Sequence, residues 1–318
     1  MKRTILSLCF LSLFLTSAFL FLICQKEEVF DEDAKKYICI ANSGFFYWNS
    51  IHEGIKAADR DMGSYTKWVE FDRYDTEEQI RQLEKTKYLD LDGIITVGEP
   101  YSKQLNEVLK EISNRGIPIA LIDTDSPDSG RNYYIGTDNY EAGRLAAQTI
   151  AEQTDGICDA LVIVSRLTYA NQNERYKGFL DAASEYENMK VVSVIEAEGD
   201  KLTMQEQLTK AFEQFPSVNA IFCAESASAR RLGPFLETLQ KSDLTIVGFD
   251  RSDATLHFVQ NGFYAATIAQ SSYNIGYEAV SCLNRWEEGN PPKTVYTDVI
   301  CITEKNVNDF LSLSTKEK

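Results

Sequence analysis

The sequence has few of the residues that most enzyme sites need. It contains two histidines in 318 residues, His52 and His257, and both lie in stretches with helical spacing, where a solvated or capping role is expected. No P-loop pattern occurs, and the loop Ala41-Asn-Ser-Gly44-Phe lacks the glycines of a dinucleotide site. No serine, cysteine or lysine has an evident base beside it. These absences predict a protein that is not an enzyme and that needs no cofactor.

Basic residues and paired cysteines are also scarce. The chain has 32 basic and 48 acidic residues, a net charge of −16, which excludes nucleic acid and anionic lipid surfaces as natural partners. None of the seven cysteines has a C-x-x-C neighbour, so no structural zinc site is expected. Cys39, Cys223 and Cys301 each lie in an apolar run, where a free cysteine packs as a small hydrophobic residue.

The beginning of the chain is strongly apolar. Lys2 and Arg3 precede an almost unbroken apolar run over residues 5–24. That run exceeds the ~7–15 apolar residues of a cleavable signal peptide and approaches the ~20 that span a bilayer. We expect residues 1–24 to be a membrane anchor or signal segment that holds the rest on the extracytoplasmic face of the cell membrane. A lipoprotein cysteine at Cys24 stays open, although the preceding Phe21-Leu22-Ile23 lacks the small residue of a lipobox.

After a polar tether, residues 25–36, short apolar runs alternate with stretches of helical spacing. This alternation predicts an α/β fold with parallel sheets covered by helices, and 318 residues suit two lobes better than one core. The predicted strands are residues 37–41, 67–71, 93–97, 118–122, 133–136, 160–164, 191–195, 220–223, 245–249 and 264–269, with a last extended segment at 295–302.

Two of these strands end in an acid. The stretch Leu244-Thr-Ile-Val-Gly-Phe-Asp250 delivers Asp250, and Ile117-Pro-Ile-Ala-Leu-Ile-Asp123 delivers Asp123. Ligands of open parallel sheets bind beyond the carboxyl ends of the strands. The two acids therefore predict a polar cleft between two α/β units.

Six motifs in chain order resemble the periplasmic sugar-binding proteins of the ribose and galactose type, which share their core with the lac-repressor-type regulators. The motifs are Ile51-His-Glu-Gly54-Ile-Lys-Ala-Ala58, Gly116-Ile-Pro118-Ile, Ile135-Gly-Thr-Asp138-Asn139, Arg175-Tyr-Lys-Gly178-Phe179, Ile246-Val-Gly-Phe-Asp250 and Ala266-Thr-Ile-Ala-Gln270. The resemblance implies two Rossmann-like lobes joined by a three-stranded hinge. The first lobe would hold residues 37–137 and 271–298, and the second 138–270 and 299–312.

The resemblance also implies a ligand set drawn from both lobes. Aromatic rings would stack on a sugar, carboxylates would accept from its hydroxyls, and Arg or amide groups would donate to it. Capping, core packing and surface ion pairs are the alternative roles for these residues, and Thr137 fits hinge geometry as well as contact. The residues are Tyr47, Trp48, Asp123, Thr137, Arg175, Glu225, Asp250 and Gln270.

Three positions depart from the ribose pattern. Thr124 stands where ribose binders carry Arg, Gly98 followed by Glu99 stands where they carry Asn, and Glu225 replaces another Asn. The second-lobe stacking aromatic aligns near Gly199. The pocket gains acid and loses an Arg and an aromatic ring, which favours a ligand with more donors, such as an amino sugar.

Two functions fit this sequence. One is the receptor of an ABC importer, which hands its sugar to a permease; the other is the ligand-sensing subunit of a membrane signalling system, with a histidine kinase or chemoreceptor as its partner. A DNA-binding regulator would need a helix-turn-helix where the apolar run stands, so nucleic acid is excluded again.

Overall fold

The structure is a computed structural model that describes residues 33–42, 45–71, 75–198 and 200–314. The apolar run predicted as a membrane segment, residues 5–24, lies outside the described residues, as does Gly199. Among the described helices, none is both long and apolar enough to cross a bilayer.

The described residues form twelve strands. In chain order they are β1 (Lys36–Asn42), β2 (Tyr65–Phe71), β3 (Gly93–Val97), β4 (Ile119–Ile122), β5 (Tyr133–Thr137), β6 (Ile157–Val164), β7 (Asn188–Glu196), β8 (Val218–Cys223), β9 (Thr245–Phe249), β10 (Ala266–Gln270), β11 (Lys293–Thr297) and β12 (Val299–Thr303).

The described part of the chain has ten α-helices, nine between strands and one after β12. They are α1 (Phe45–Met62), α2 (Thr76–Thr86), α3 (Lys103–Ser113), α4 (Asn139–Gln153), α5 (Ala170–Ala183), α6 (Lys201–Gln214), α7 (Ser226–Thr238), α8 (Asp253–Gln260), α9 (Ser272–Asn284) and α10 (Val307–Ser314), with a short 3₁₀ turn at Pro127–Ser129.

The strands make two six-stranded sheets within one unit of the chain that starts at Lys36. The first has the order β11-β5-β4-β3-β1-β2 with every pair parallel. The second has the order β12-β10-β9-β8-β6-β7 and is parallel except for β12, which runs antiparallel to β10. This confirms the predicted fold class of two α/β lobes.

Helices cover both faces of each sheet, which explains why the strands read as continuous apolar runs. In β3, β4 and β5 every residue is buried, as expected for parallel strands between two helical layers. One face of the first sheet packs with α1 and α9 and the other with α2 and α3. The second sheet packs with α4 and α5 on one face and with α6, α7, α8 and α10 on the other.

The predicted strands at 93–97 and 245–249 match β3 and β9 residue for residue. The single extended segment predicted at 295–302 is instead two strands, β11 and β12, which join different sheets. The helix α9 ends at Asn284. Trp286 packs on the first-lobe core from the turn that follows.

The chain crosses between the sheets three times, from β5 to α4, from β10 to α9 and from β11 to β12. Hydrogen bonds tie the crossings together. The Thr137 hydroxyl donates to Gln270 Oε1 over 2.7 Å, and the Thr297 hydroxyl donates to the Gly136 carbonyl over 3.4 Å. Hydrogen bonds therefore join the three crossings, which together we call the crossing strip.

Candidate functional site

A cavity of about 1460 Å³ lies between the two sheets, at the carboxyl ends of their parallel strands. It is larger than the ~300–1000 Å³ of most small-molecule sites. Such a volume is typical of an open cleft between two lobes. Within the described residues, no group of three or more His, Cys, Asp or Glu side chains is placed to hold a metal ion.

Both lobes supply the walls of this cavity. The first-lobe wall comes from the start of α1, the loops after β3 and β4, and the start of α9. Its residues are Tyr47, Trp48, Asn49, Glu53, Gly98, Glu99, Pro100, Asp123, Thr124, Ser272 and Tyr273.

The second-lobe wall comes from the loops after β6, β8 and β9, the helices that follow these loops, and the end of β10. Its residues are Ser165, Tyr169, Ala170, Asn171, Gln172, Arg175, Glu225, Ser226, Ala227, Arg230, Arg231, Asp250, Arg251, Ser252, Asp253, Ala254 and Gln270.

Asp123 and Asp250 occupy equivalent places in the two lobes. Each directly follows a buried strand, and each has φ of 64°, in the left-handed region that few residues other than glycine adopt. Neither caps a helix, since Ser252 caps α8 and Asp123 has no helix directly after it. The alternative capping role is therefore absent for both, and their strained backbone turns each carboxylate out of its strand.

Asp123 is held by hydroxyl groups of the first lobe. The Tyr47 hydroxyl donates to Asp123 Oδ1 over 2.8 Å, and the Thr124 hydroxyl donates to Oδ2 over 2.9 Å. Burial raises the pKa of the Asp123 carboxyl, and these two donors together with the charge of Arg175 act against that rise. Thr124 thus orients a site residue.

Asp250 is coupled to the crossing strip through Gln270. Gln270 Nε2 donates to Asp250 Oδ1 over 2.9 Å, while Gln270 Oε1 accepts from Thr137. Burial raises the pKa of Asp250 to about 6, and the charge of Arg175 and the Gln270 donor oppose the rise. The ionised form of this buried carboxyl would be stabilised by further hydrogen-bond donors.

Arg175 is close enough to both acids to interact with their charges, and it is only 4% exposed, so it is not a surface ion pair. Its Nε donates to Asn139 Oδ1 over 2.8 Å and its Nη1 donates to the Ala224 carbonyl over 2.9 Å. The guanidinium carbon stands 3.7 Å from the centre of the Phe249 ring. Burial lowers the pKa of Arg175, and the charges of Asp250 and Asp123 raise it. One cation therefore interacts with the carboxylates of both lobes.

A close helix crossing sets the position of Arg175. A Cβ at Gly143 on α4 would lie 2.0 Å from the Arg175 carbonyl oxygen, and one at Gly178 on α5 would lie 1.9 Å from the Tyr140 carbonyl oxygen. Any larger side chain at either position would push the helices apart. The glycine of the Arg175-Tyr-Lys-Gly178 motif therefore has a packing role.

The aromatic pair predicted to stack on a ligand is arranged unequally. Trp48 is 5% exposed and belongs to the first-lobe core, although part of it lines the cavity. Tyr47 is partly exposed and meets Trp48 edge to face, with ring centres 5.1 Å apart. The hydroxyl of Tyr47 is fixed by Asp123, so its ring is the better-presented surface of the two.

Two predicted residues have structural partners that the sequence did not reveal. Glu225 caps α7, where it accepts from the Ala227 and Ser228 N–H groups over 2.6 and 2.7 Å and from the Ser228 hydroxyl. It still lines the cavity, but not as an unpartnered acid. Thr137 is 1% exposed and does not line the cavity, because its hydroxyl faces Gln270.

Several wall residues were not predicted from the sequence. Asn171 and Gln172 approach the cavity because they lie one turn before Arg175 on α5, and Tyr169 directly precedes this helix. Gln172 is buried, and its Oε1 accepts from the Ser165 N–H over 2.5 Å. Helical spacing from Arg175 was the available signal, since residues three and four apart share one face of a helix.

The chain matches a family model described as a periplasmic binding protein domain over residues 37–291. Among curated relatives, the ribose import binding protein RbsB of Bacillus subtilis (strain 168) is 24% identical over 287 residues, which cover 87% of this chain and 90% of that protein.

Solved structures give the same result. GanP, a glucose-galactose binding protein from Geobacillus stearothermophilus, has a TM-score of 0.80 and 30% identity, with 86% of this chain and 99% of that one covered. A sugar-binding protein of a sugar ABC transporter from Bacillus halodurans has a TM-score of 0.81 and 28% identity, with coverages of 87% and 100%. These relatives are binding proteins and not enzymes, in line with the sequence prediction. The chain belongs to the periplasmic binding protein domain family.

Proposed function

We propose that this chain is an extracytoplasmic, membrane-tethered solute-binding protein that closes its two lobes on a sugar and delivers it to an ABC importer. The observation that carries the proposal is the convergence of Asp123, Arg175, Asp250 and Gln270 on one cavity between the lobes. The relatives named above bind ribose, glucose-galactose or another sugar, and one of them is named for import.

The chemistry of the walls suits a polyhydroxylated ligand. A sugar hydroxyl both donates and accepts, so the two carboxylates accept from it while Arg175 donates to it. Hydrogen bonds with a charged partner contribute about 1.5–3 kcal/mol each, against about 1 kcal/mol for neutral pairs. Closure of the lobes buries these polar groups, and each group that is buried without a hydrogen-bond partner costs free energy. A ligand that pairs with all of them is therefore bound in preference to one that does not.

Lobe closure follows from the size of the cavity. Its volume of about 1460 Å³ exceeds what one monosaccharide can fill, so a ligand held by both walls must draw them together. We propose a first lobe of residues 37–137 and 271–298 and a second of 138–270 and 299–312, which the membership of the strands in the two sheets supports. The crossing strip around Thr137 and Gln270 would be the hinge.

The tether remains part of the proposal. It is supported by Lys2, Arg3 and the apolar residues 5–24, with Cys24 as an alternative lipid-attachment site. Mass spectrometry of the full-length chain recovered from membranes separates these possibilities. The protein should keep residues 1–24 without a lipid if the run is an anchor, whereas it should begin at a lipid-bearing Cys24 if that residue is the attachment site.

A thermal-shift screen of the full-length chain against pentoses and hexoses tests the binding function. A ligand at about 100 times its dissociation constant adds about 2.7 kcal/mol to the free energy of unfolding. The Asp250→Asn variant should lose most of that gain, while Glu84→Gln, an exposed change on the outside of the first lobe, should keep it. The proposal fails if no sugar raises the melting temperature of the unmodified chain.

A further inference from the structure

Among the described acids of the first-lobe wall, Glu99 is the one whose carboxylate has no partner in the described residues. It is half-buried at the end of β3 and lines the cavity. Within the described part of the chain, its carboxylate makes no hydrogen bond and no ion pair. Glu53 on the same wall pairs with Lys56 over 2.9 Å, and Asp123 accepts from Tyr47 and Thr124.

The backbone holds Glu99 firmly in this position. The Gly98 N–H donates to the Thr124 carbonyl over 2.9 Å, and the Glu99 carbonyl accepts from the Ser102 N–H over 3.0 Å. A Cβ at Gly98 would lie 2.4 Å from the Thr124 carbonyl oxygen, so only glycine allows this close approach. These backbone contacts fix the position of the loop that carries the Glu99 side chain.

Among the described residues, the first-lobe wall offers Glu99 no counter-charge. The described lining residues of this wall include three acids, Glu53, Glu99 and Asp123, and neither Lys nor Arg. Burial raises the pKa of Glu99, and no charge or donor of the described residues opposes that rise. Closure of the lobes would desolvate the carboxylate further, which is costly unless a donor, best a cationic one, reaches it.

We propose that the ligand is a sugar that carries a protonated amino group, and that Glu99 accepts hydrogen bonds from this ammonium. The inference rests on the proposed sugar-binding function and names the class of sugar. An ammonium satisfies the carboxylate and neutralises its charge in one contact, whereas a hydroxyl leaves the charge buried. The acceptors Asp123 and Asp250 would hold the hydroxyls of the same molecule.

Isothermal titration calorimetry on the full-length chain tests the inference with matched ligands at about pH 7. The probes are D-glucosamine and D-galactosamine, their neutral parents D-glucose and D-galactose, and the N-acetyl derivatives, which lack the charge. At least one amine should bind tenfold or more tightly than its neutral parent and its N-acetyl form, since a charged hydrogen bond is worth about one to two factors of ten.

The variant Glu99→Gln should remove this preference and leave the affinity for the neutral parent within about threefold, while the control Glu84→Gln should keep the wild-type preference. Two results would overturn the inference and leave sugar binding intact. One is that no amine binds more tightly than its neutral parent. The other is an equal loss for both ligands in Glu99→Gln, which would mean that Glu99 meets the second-lobe arginines on closure. If neither amines, parents nor a wider sugar panel bind, the proposed function itself fails.

Discussion

Ligand affinity should fall as the pH drops below about 6, because Asp250 must be ionised to accept from ligand hydroxyls. Burial raises the pKa of its carboxyl to about 6. In the unliganded protein, about nine-tenths of the molecules then carry the carboxylate at about pH 7 and about one-tenth at about pH 5. A ligand that binds only the ionised form should therefore bind about tenfold more weakly at about pH 5 than at about pH 7.

The raised pKa of Asp250 has the opposite effect on the free energy of unfolding, which increases as the pH falls. The pKa of Asp250 in the folded state lies above the ~3.9 of an unfolded aspartate, so the folded protein takes up this proton first as the pH falls. The contribution of Asp250 to the free energy of unfolding therefore increases from about pH 7 towards pH 4. Affinity and this part of the stability should change in opposite directions.

Calorimetric titrations between about pH 5 and pH 7.5 measure the first effect, and thermal melts of the unliganded chain measure the second. Asp250→Asn is the matched variant because it keeps the shape of the side chain and cannot titrate. Relative to this variant, the unmodified chain should show the steeper loss of affinity and the larger gain of stability on acidification. Parallel pH profiles for the two proteins would refute the role given to Asp250.

Three further changes test the surrounding structure. Gly143→Ala should lower the free energy of unfolding by about 1–3 kcal/mol in denaturant titrations, since its Cβ would overlap the Arg175 carbonyl oxygen; an unchanged midpoint would contradict the close helix crossing. Tyr47→Phe should weaken ligand binding about tenfold and raise the pKa of Asp123 further, because a donor to that carboxylate is lost; an unchanged affinity would show that the hydroxyl has no part in binding. Arg175→Lys should lower the free energy of unfolding by about 1–3 kcal/mol for each acceptor, Asn139 Oδ1 or the Ala224 carbonyl, that is left without a donor. A variant with unchanged stability and unchanged ligand affinity would show that the planar guanidinium is not required.

The strand ends were the most predictable part of this molecule. Buried parallel strands are apolar on both faces, so an acid directly after such a run, as at Asp123 and Asp250, marks the edge of the sheet. Arg175 was predicted from the resemblance alone, through the motif Arg175-Tyr-Lys-Gly178-Phe179. The lobe assignment of residues 295–302 was less visible in the pattern, because one extended stretch can feed two sheets without any change of composition.

Side-chain partnerships were the least predictable part. Nothing in the order of residues shows that the two oxygens of Glu225 are taken up by the start of α7 or that Trp48 is mostly enclosed by the first-lobe core. Thr137 was equally consistent with contact and hinge, and only the arrangement of the crossings places its hydroxyl on Gln270. The contacts of Trp48 and Thr137 join residues far apart in the chain, so they depend on how the helices and sheets are packed. The Glu225 cap is local, but it forms only because the backbone starts a helix at Ser226.

The most direct test of sugar binding in the cleft is a crystal structure of the full-length chain with the ligand that gives the largest thermal shift. One sugar molecule should lie within hydrogen-bond distance of Asp123 on the first lobe and of Arg175 and Asp250 on the second, with the lobes closer together than in the cavity of about 1460 Å³. A sugar bound outside this cavity, or held by one lobe alone, would contradict the proposed mechanism.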